Sequence, residues 1–170
     1  MGTEGSTMLE PLRQGLPPID PASVSSSVSC SLTADYASVR EARAFTKSAL
    51  DRWELAERFD DVALVVSELV TNALRHAVPD SPGAPDPAVR LHLMHWTSRL
   101  VCAVRDPSEA SPVTARTGGE PDFAAESGRG LHLVEAVSDG WGWHPLAGTL
   151  RGKVVWALFR LPASRFPLQG

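Results

Sequence analysis

Three side chains able to do chemistry, Glu68, Asn72 and His76, stand four residues apart. Four residues along an α-helix turn about 400°, so the three share a stripe that drifts about 40° per step. A carboxylate can polarise a water or a hydroxyl, and an amide oxygen suits a hard cation such as magnesium. Such a stripe could meet a metal–phosphate ligand; the same spacing also fits a solvated helix face with an i, i+4 hydrogen bond. A second constellation is Ser127-Gly128-Arg129-Gly130-Leu131, directly before an apolar-periodic run. Glycines there let backbone approach a ligand, and the free amide hydrogens and dipole of a helix start favour phosphate. A plain tight entry turn has the same sequence. The segment is neither a Walker loop nor a dinucleotide fingerprint, because the Lys-Ser/Thr pair and the Gly-x-Gly-x-x-Gly are missing. Third, Asp106 ends the apolar run Val101-Cys102-Ala103-Val104. A carboxylate at the end of a buried strand can accept the exocyclic amine of adenine, or it can cap the Asp106-Pro107 turn.

The elements that must position these groups follow from periodicity. Residues 1–26, rich in Pro, Gly and Ser, read as a disordered tail. Val28 to Leu32 alternates as a half-buried edge strand. A helix is expected from Ala37 to Trp53, with Ser38 and Glu41 at capping-box spacing and Val39, Ala42, Phe45, Ala49 and Trp53 as its core stripe. The strongest helix is expected over Asp61–Ala77, capped by Asp60 or Asp61, with Val62, Val65, Val66, Leu69, Val70, Ala73 and Ala77 inward and Pro79 as its stop. Pro79–Pro87 reads as loop. Strands follow at Val89–Trp96 and Leu100–Arg105, joined by a hairpin turn at Thr97-Ser98-Arg99. Residues 107–127 read as a long loop, of the kind that is functional or disordered. A helix is expected over Arg129–Ser138, then strands at Gly140–His144 and Lys153–Leu161, with Trp141, Trp143 and Trp156 filling the sheet–helix core. This order predicts an α+β two-layer sandwich, a mostly antiparallel mixed sheet covered on one face by helices.

Four of these segments, in order, resemble a known superfamily. Ser67-Glu68-Leu69-Val70-Thr71-Asn72-Ala73-Leu74-Arg75-His76 looks like the N box of the ATPases that include gyrase, histidine kinases and the MutL repair proteins. Within that group the chain is most similar to the bacterial anti-sigma-factor serine kinases and their stand-alone regulatory relatives. Val104-Arg105-Asp106 resembles the first glycine box, Gly128 to Val134 with Ser138 to Gly142 the second and its following strand, and Gly152 to Ala157 the last strand. The resemblance spans residues 28–161 and implies the Bergerat-type ATP-binding fold over 27–162, between the N-terminal tail and a C-terminal tail at 163–170. It implies that Asn72 coordinates magnesium on the triphosphate and that Glu68 is the catalytic general base. Asp106 would read adenine, and Gly128, Arg129, Gly130 and Leu131 would line the phosphates beneath a lid formed by 107–127. His76 would stand at the pocket as a binding or merely shaping residue. Arg75, near the nucleotide mouth, reads as a solvated charge; Lys153 could reach a phosphate, but the safer reading is a strand-edge lysine that blocks aggregation.

The resemblance further implies an ATP- and magnesium-dependent serine/threonine kinase acting on an antagonist protein, with a sigma factor as a further partner and a possible homodimer. The alternative is an inactive nucleotide-sensing or protein-binding module. One departure favours that alternative. Pro107-Ser108-Glu109-Ala110 follows Asp106 where the family has Asp-x-Gly-x-Gly, and a proline cannot copy glycine geometry.

The 170 residues are 43% hydrophobic, enough for one core, and the net charge of −4 argues against general nucleic-acid binding. Two cysteines, Cys30 and Cys102, are too few for a disulfide scaffold. No apolar run approaches membrane-spanning length and no signal-peptide pattern opens the chain, so a cytoplasmic protein without membrane contact is expected.

Overall fold

The computed structural model describes residues 26–33, 35–76, 89–109, 111–112, 124–146 and 151–162, with the side chains of His76 and of 124–129 left out. The expected tails, the 79–87 loop and most of the 107–127 lid lie outside those residues. Strand β1 (Ser26–Leu32) is followed by helix α1 (Ala37–Arg52), a 3₁₀ turn (Ala56–Arg58) and helix α2 (Phe59–His76). The hairpin β2 (Val89–Trp96) and β3 (Arg99–Asp106) comes next. Helix α3 (Ala124–Val137), β4 (Gly140–Pro145) and β5 (Lys153–Arg160) complete the order.

The five strands form one sheet in the order β1-β2-β3-β5-β4, and every pairing is antiparallel. The β4–β5 pair inserts β5 beside β3, so β1 and β4 are the edges. Strand alternation sorts the residues by face. Leu91, Leu93, Leu100, Cys102, Val104, Val155, Ala157 and Phe159 meet the helices in the main core. Met94, Trp96, Val101, Ala103 and Val154 form a smaller cluster on the opposite face. Trp156 belongs to that second cluster, not to the sheet–helix core, because it alternates with Val155; its ring lies over Gly142 of β4. Trp141 and Trp143 do pack against the main core.

Two expected helix starts are built differently. The Ser38–Glu41 capping box does not form: α1 has no side-chain cap, and Ser38 is buried, donating its hydroxyl to the Thr33 carbonyl at 2.5 Å. That bond ties the strand–helix corner instead. Asp60 and Asp61 sit within the first turn of α2, where their charge complements the helix dipole, and not before it. In α2 the expected apolar stripe is covered as far as it is described: Val62, Val65, Val66, Leu69, Val70 and Ala73 are buried against α1, α3 and the sheet, and Ala77 lies outside the described residues.

Helix α3 begins at Ala124, five residues before the expected Arg129. Ala124-Ala125-Glu126 are good helix formers and outweigh the two glycines, each costing about 1 kcal/mol in a helix interior. Gly128 and Gly130 therefore lie inside the helix, not in an entry turn. Their amide hydrogens fall at or beyond the limit of the first turn, where intrahelical bonding takes over.

Candidate functional site

Glu68 and Asn72 sit on the flank of the α2 stripe, and the drift of the spacing explains their different exposure. Each four-residue step rotates toward the buried face. Glu68 is accordingly half-buried, whereas Asn72, between Leu69 and Ala73 in sequence, is only 7% exposed. Neither Nδ2 nor Oδ1 of Asn72 has a hydrogen-bond partner. An amide buried with both ends unsatisfied costs about 1–3 kcal/mol per group. His76 is the last residue of α2, one further turn along.

Helix α3 packs against α2 and brings Gly130 to Glu68. A Cβ at Gly130 would come within 2.6 Å of Glu68 Oε2. The glycine thus serves as the gap into which the Glu68 carboxylate fits. Leu131, next in the helix, is buried at 8% exposure and points to the packed side. Gly128 and Arg129 directly precede Gly130, toward the start of α3.

Asp106 is the last residue of β3 and follows Leu100, Cys102 and Val104 on the helix-covered face. It is 1% exposed and does not stand alone. The ammonium of Lys153 donates to Oδ1 at 3.0 Å and stands 3.0 Å from Oδ2. The Ser108 amide donates to Oδ1 at 2.8 Å, closing an Asx turn over Pro107. Lys153 also reaches the Ser108 carbonyl at 3.4 Å.

Lys153 is therefore not an aggregation-blocking edge residue. Strand β5 is interior, Lys153 is fully buried, and the register sets it directly opposite Asp106. The signal for this was present in period two: Lys153, Val155, Ala157 and Phe159 share the core face. Gly152 makes the approach possible. Its φ is +110°, and a Cβ there would overlap the Asp106 carbonyl oxygen. Arg75 is exposed, as expected.

Two small sets of groups thus share the helix side of one sheet. One is Glu68, Asn72 and Gly130, where α2 meets α3; the other is Asp106 and Lys153, where β3 ends beside β5. Among the described residues no three His, Cys, Asp or Glu side chains cluster as a metal cage, so any cation here would draw most of its ligands from elsewhere. Both cysteines are free thiols; burial pushes Cys102 up to about 12, and burial with the nearby Glu41 carboxylate pushes Cys30 up to about 11. Neither is a nucleophile at neutral pH.

No helix among the described residues is long and apolar enough to cross a membrane. No curated protein matches the chain. The histidine kinase-like ATPase domain family matches residues 32–157, from the end of β1 into β5, which takes in both sets of groups. With most of the chain matched and the sheet and three helices arranged as described, this protein belongs to the histidine kinase-like ATPase domain family.

Proposed function

We propose that the chain is an ATP-dependent protein serine/threonine kinase of the anti-sigma-factor type, acting on a serine of a small antagonist protein. The observation that carries this reading is Asn72: a buried carboxamide with no internal partner, one helical turn from Glu68. Its Oδ1 is a hard oxygen donor of the kind magnesium accepts, so the residues fit the ion. Bound with the triphosphate, magnesium would neutralise charge on the transferring phosphoryl group.

Asp106 accepts the 6-amino group of adenine. Gly128, Arg129, Gly130 and Leu131 of α3 form the phosphate side of the site, where the missing Cβ of Gly130 leaves room for the Glu68 carboxylate and Leu131 packs inward. Free helix-end amides are not part of this reading, since α3 starts earlier. His76 closes the helix end of the site. Glu68 takes the proton of the substrate serine as its Oγ bonds to the γ-phosphorus and the bond to the β,γ-bridging oxygen breaks, releasing ADP. The antagonist and its sigma factor are the expected partners, a homodimer the expected assembly, and the cytoplasm the expected location.

The test is transfer of label from γ-labelled ATP to a candidate antagonist. Glu68→Ala is expected to slow transfer about 100-fold or more while ATP binding persists. Undiminished transfer in that variant would remove Glu68 as the base. A second reading, a nucleotide sensor or protein-binding module without catalysis, is favoured by Pro107 beside Asp106. ATP binding without any turnover would select the sensor, and no binding would select the protein-binding module.

A further inference from the structure

The sheet face turned away from the helices is more closed than the described elements make it. Met94, Trp96, Val101, Ala103 and Val154 on that face are at most 6% exposed. The hydrophobic residues packed with them, Leu146, Trp156 and Leu158, come from the sheet itself and the residue after β4. Neighbours within one layer flank a side chain but do not cap it, and the helices pack on the other face. Two indole donors here, Trp96 Nε1 and Trp156 Nε1, are buried without a hydrogen-bond partner. Beside Trp96 the register sets Arg99 directly opposite Arg160, and among the described residues no acidic side chain pairs with either guanidinium.

We propose that this face is the docking site of the chain's own proline-rich segment Leu16-Pro17-Pro18-Ile19-Asp20-Pro21. The inference is independent of the nucleotide reading. Position selects the occupant. The internal segments outside the described residues join the sheet at the end away from Trp96, where β2 and β5 begin and β3 ends. Leu161, after β5, is anchored in the helix-side core, so residues 163–170 start from the wrong face. Strand β1, by contrast, begins at Ser26, opposite His95 and one position from Trp96. Trp96 and Trp156 lie four residue steps and two strands apart in the register, roughly 17 Å by strand rise and spacing. Six residues of polyproline II span about 19 Å. Such a segment makes no internal backbone hydrogen bonds, so its carbonyls accept from the two indole N–H groups, and its prolines bring no amide hydrogen to be buried. Leu16 and Ile19, three residues apart and hence on one side of that helix, cover Met94 and Val101. Asp20, toward the Ser26 end, meets Arg99 and Arg160.

Fluorine NMR of the full chain carrying fluorotryptophan tests this, with Trp96→Phe and Trp156→Phe assigning the two signals. In the double variant Leu16→Ser with Ile19→Ser, the Trp96 and Trp156 signals are expected to shift and to gain a heavy-water isotope shift that the wild-type signals lack. Trp141 and Trp143, packed against the main core, are expected to stay in place and so report an intact fold. Asp20→Lys is expected to move Trp96 more than Trp156. The matched variant Phe166→Ser with Leu168→Ser is expected to move neither. Movement in that C-terminal variant alone overturns the assignment of the segment, and so does a lack of response to any of the three variants. Trp96 and Trp156 signals that depend on protein concentration, with a dimer in sedimentation, overturn it in favour of a second copy on the face. Wild-type signals that already carry the full isotope shift overturn it outright, since the face then lies open to water.

Discussion

At the level of single side chains, Asn72 presents a conflict between stability and use. Both of its polar atoms are desolvated without a partner, whereas its neighbours on α2 are apolar and packed. Replacing such a group by an apolar one of similar volume is neutral or stabilising, because no hydrogen bond is lost and a desolvation cost disappears. Asn72→Leu is therefore expected to raise the thermal midpoint by a few degrees, equivalent to about 1–3 kcal/mol, while abolishing magnesium-dependent ATP binding. Paired thermal unfolding and titration of the variant measure both. A destabilised Asn72→Leu would mean that the amide has a structural partner after all. Glu68 differs in kind. It is half-buried and its carboxylate fills the space above Gly130, and under the proposed function it is the base where Asn72 is the ligand.

Among elements, the same logic separates glycines that are needed from glycines that are merely present. Gly152 combines φ +110° with a Cβ position overlapping the Asp106 carbonyl and 3.0 Å from Pro107 Cα, whereas nothing lies within 4 Å of a Cβ at Gly140. Gly152→Ala is expected to cost about 2–4 kcal/mol and to displace the Asp106 strand end, and Gly140→Ala less than about 0.5 kcal/mol. Urea unfolding midpoints of the two variants read the contrast; equal midpoints would show that β5 can withdraw from β3 without penalty. This junction also marks how far the sequence could be read. Strand β2 is bounded as its alternation predicts, and the α2 stripe is buried from Val62 to Ala73, because both signals are local. Asp106 and Lys153 are 47 residues apart, and their pairing depends on the order β3-β5-β4, which no local period encodes. Read alone, Lys153 looks like a strand-edge charge. Gly128 and Gly130 mislead for the opposite reason: glycine is a strong local signal for a turn, and here the three helix formers ahead of it override it.

Taken as a whole, the molecule puts its helices on one sheet face and leaves a small apolar cluster on the other, and His92 is caught on that second face. In β2 it lies between Ser29 of β1 and Ala103 of β3, with Arg90 and Arg105 at the adjacent register position. Burial, and then the two guanidinium charges, push His92 from 6.5 down to about 4. The unfolded chain has the ordinary histidine value, so between pH 6.5 and 4 it takes up a proton that the folded protein refuses. Stability from this group is complete above pH 6.5 and is lost as pH falls toward 4, by about 3 kcal/mol in all. That is a large share of the few kcal/mol by which a domain this size is stable. Urea midpoints followed from pH 7.5 to 4 should fall more steeply in the wild-type protein than in His92→Gln, which has no proton to take up. Carboxylates contribute equally to both proteins, so the difference between the two slopes isolates the imidazole. Superimposable slopes would mean that the face of the sheet opposite the helices admits water and charge to His92, and that its apolar cluster is not closed in solution.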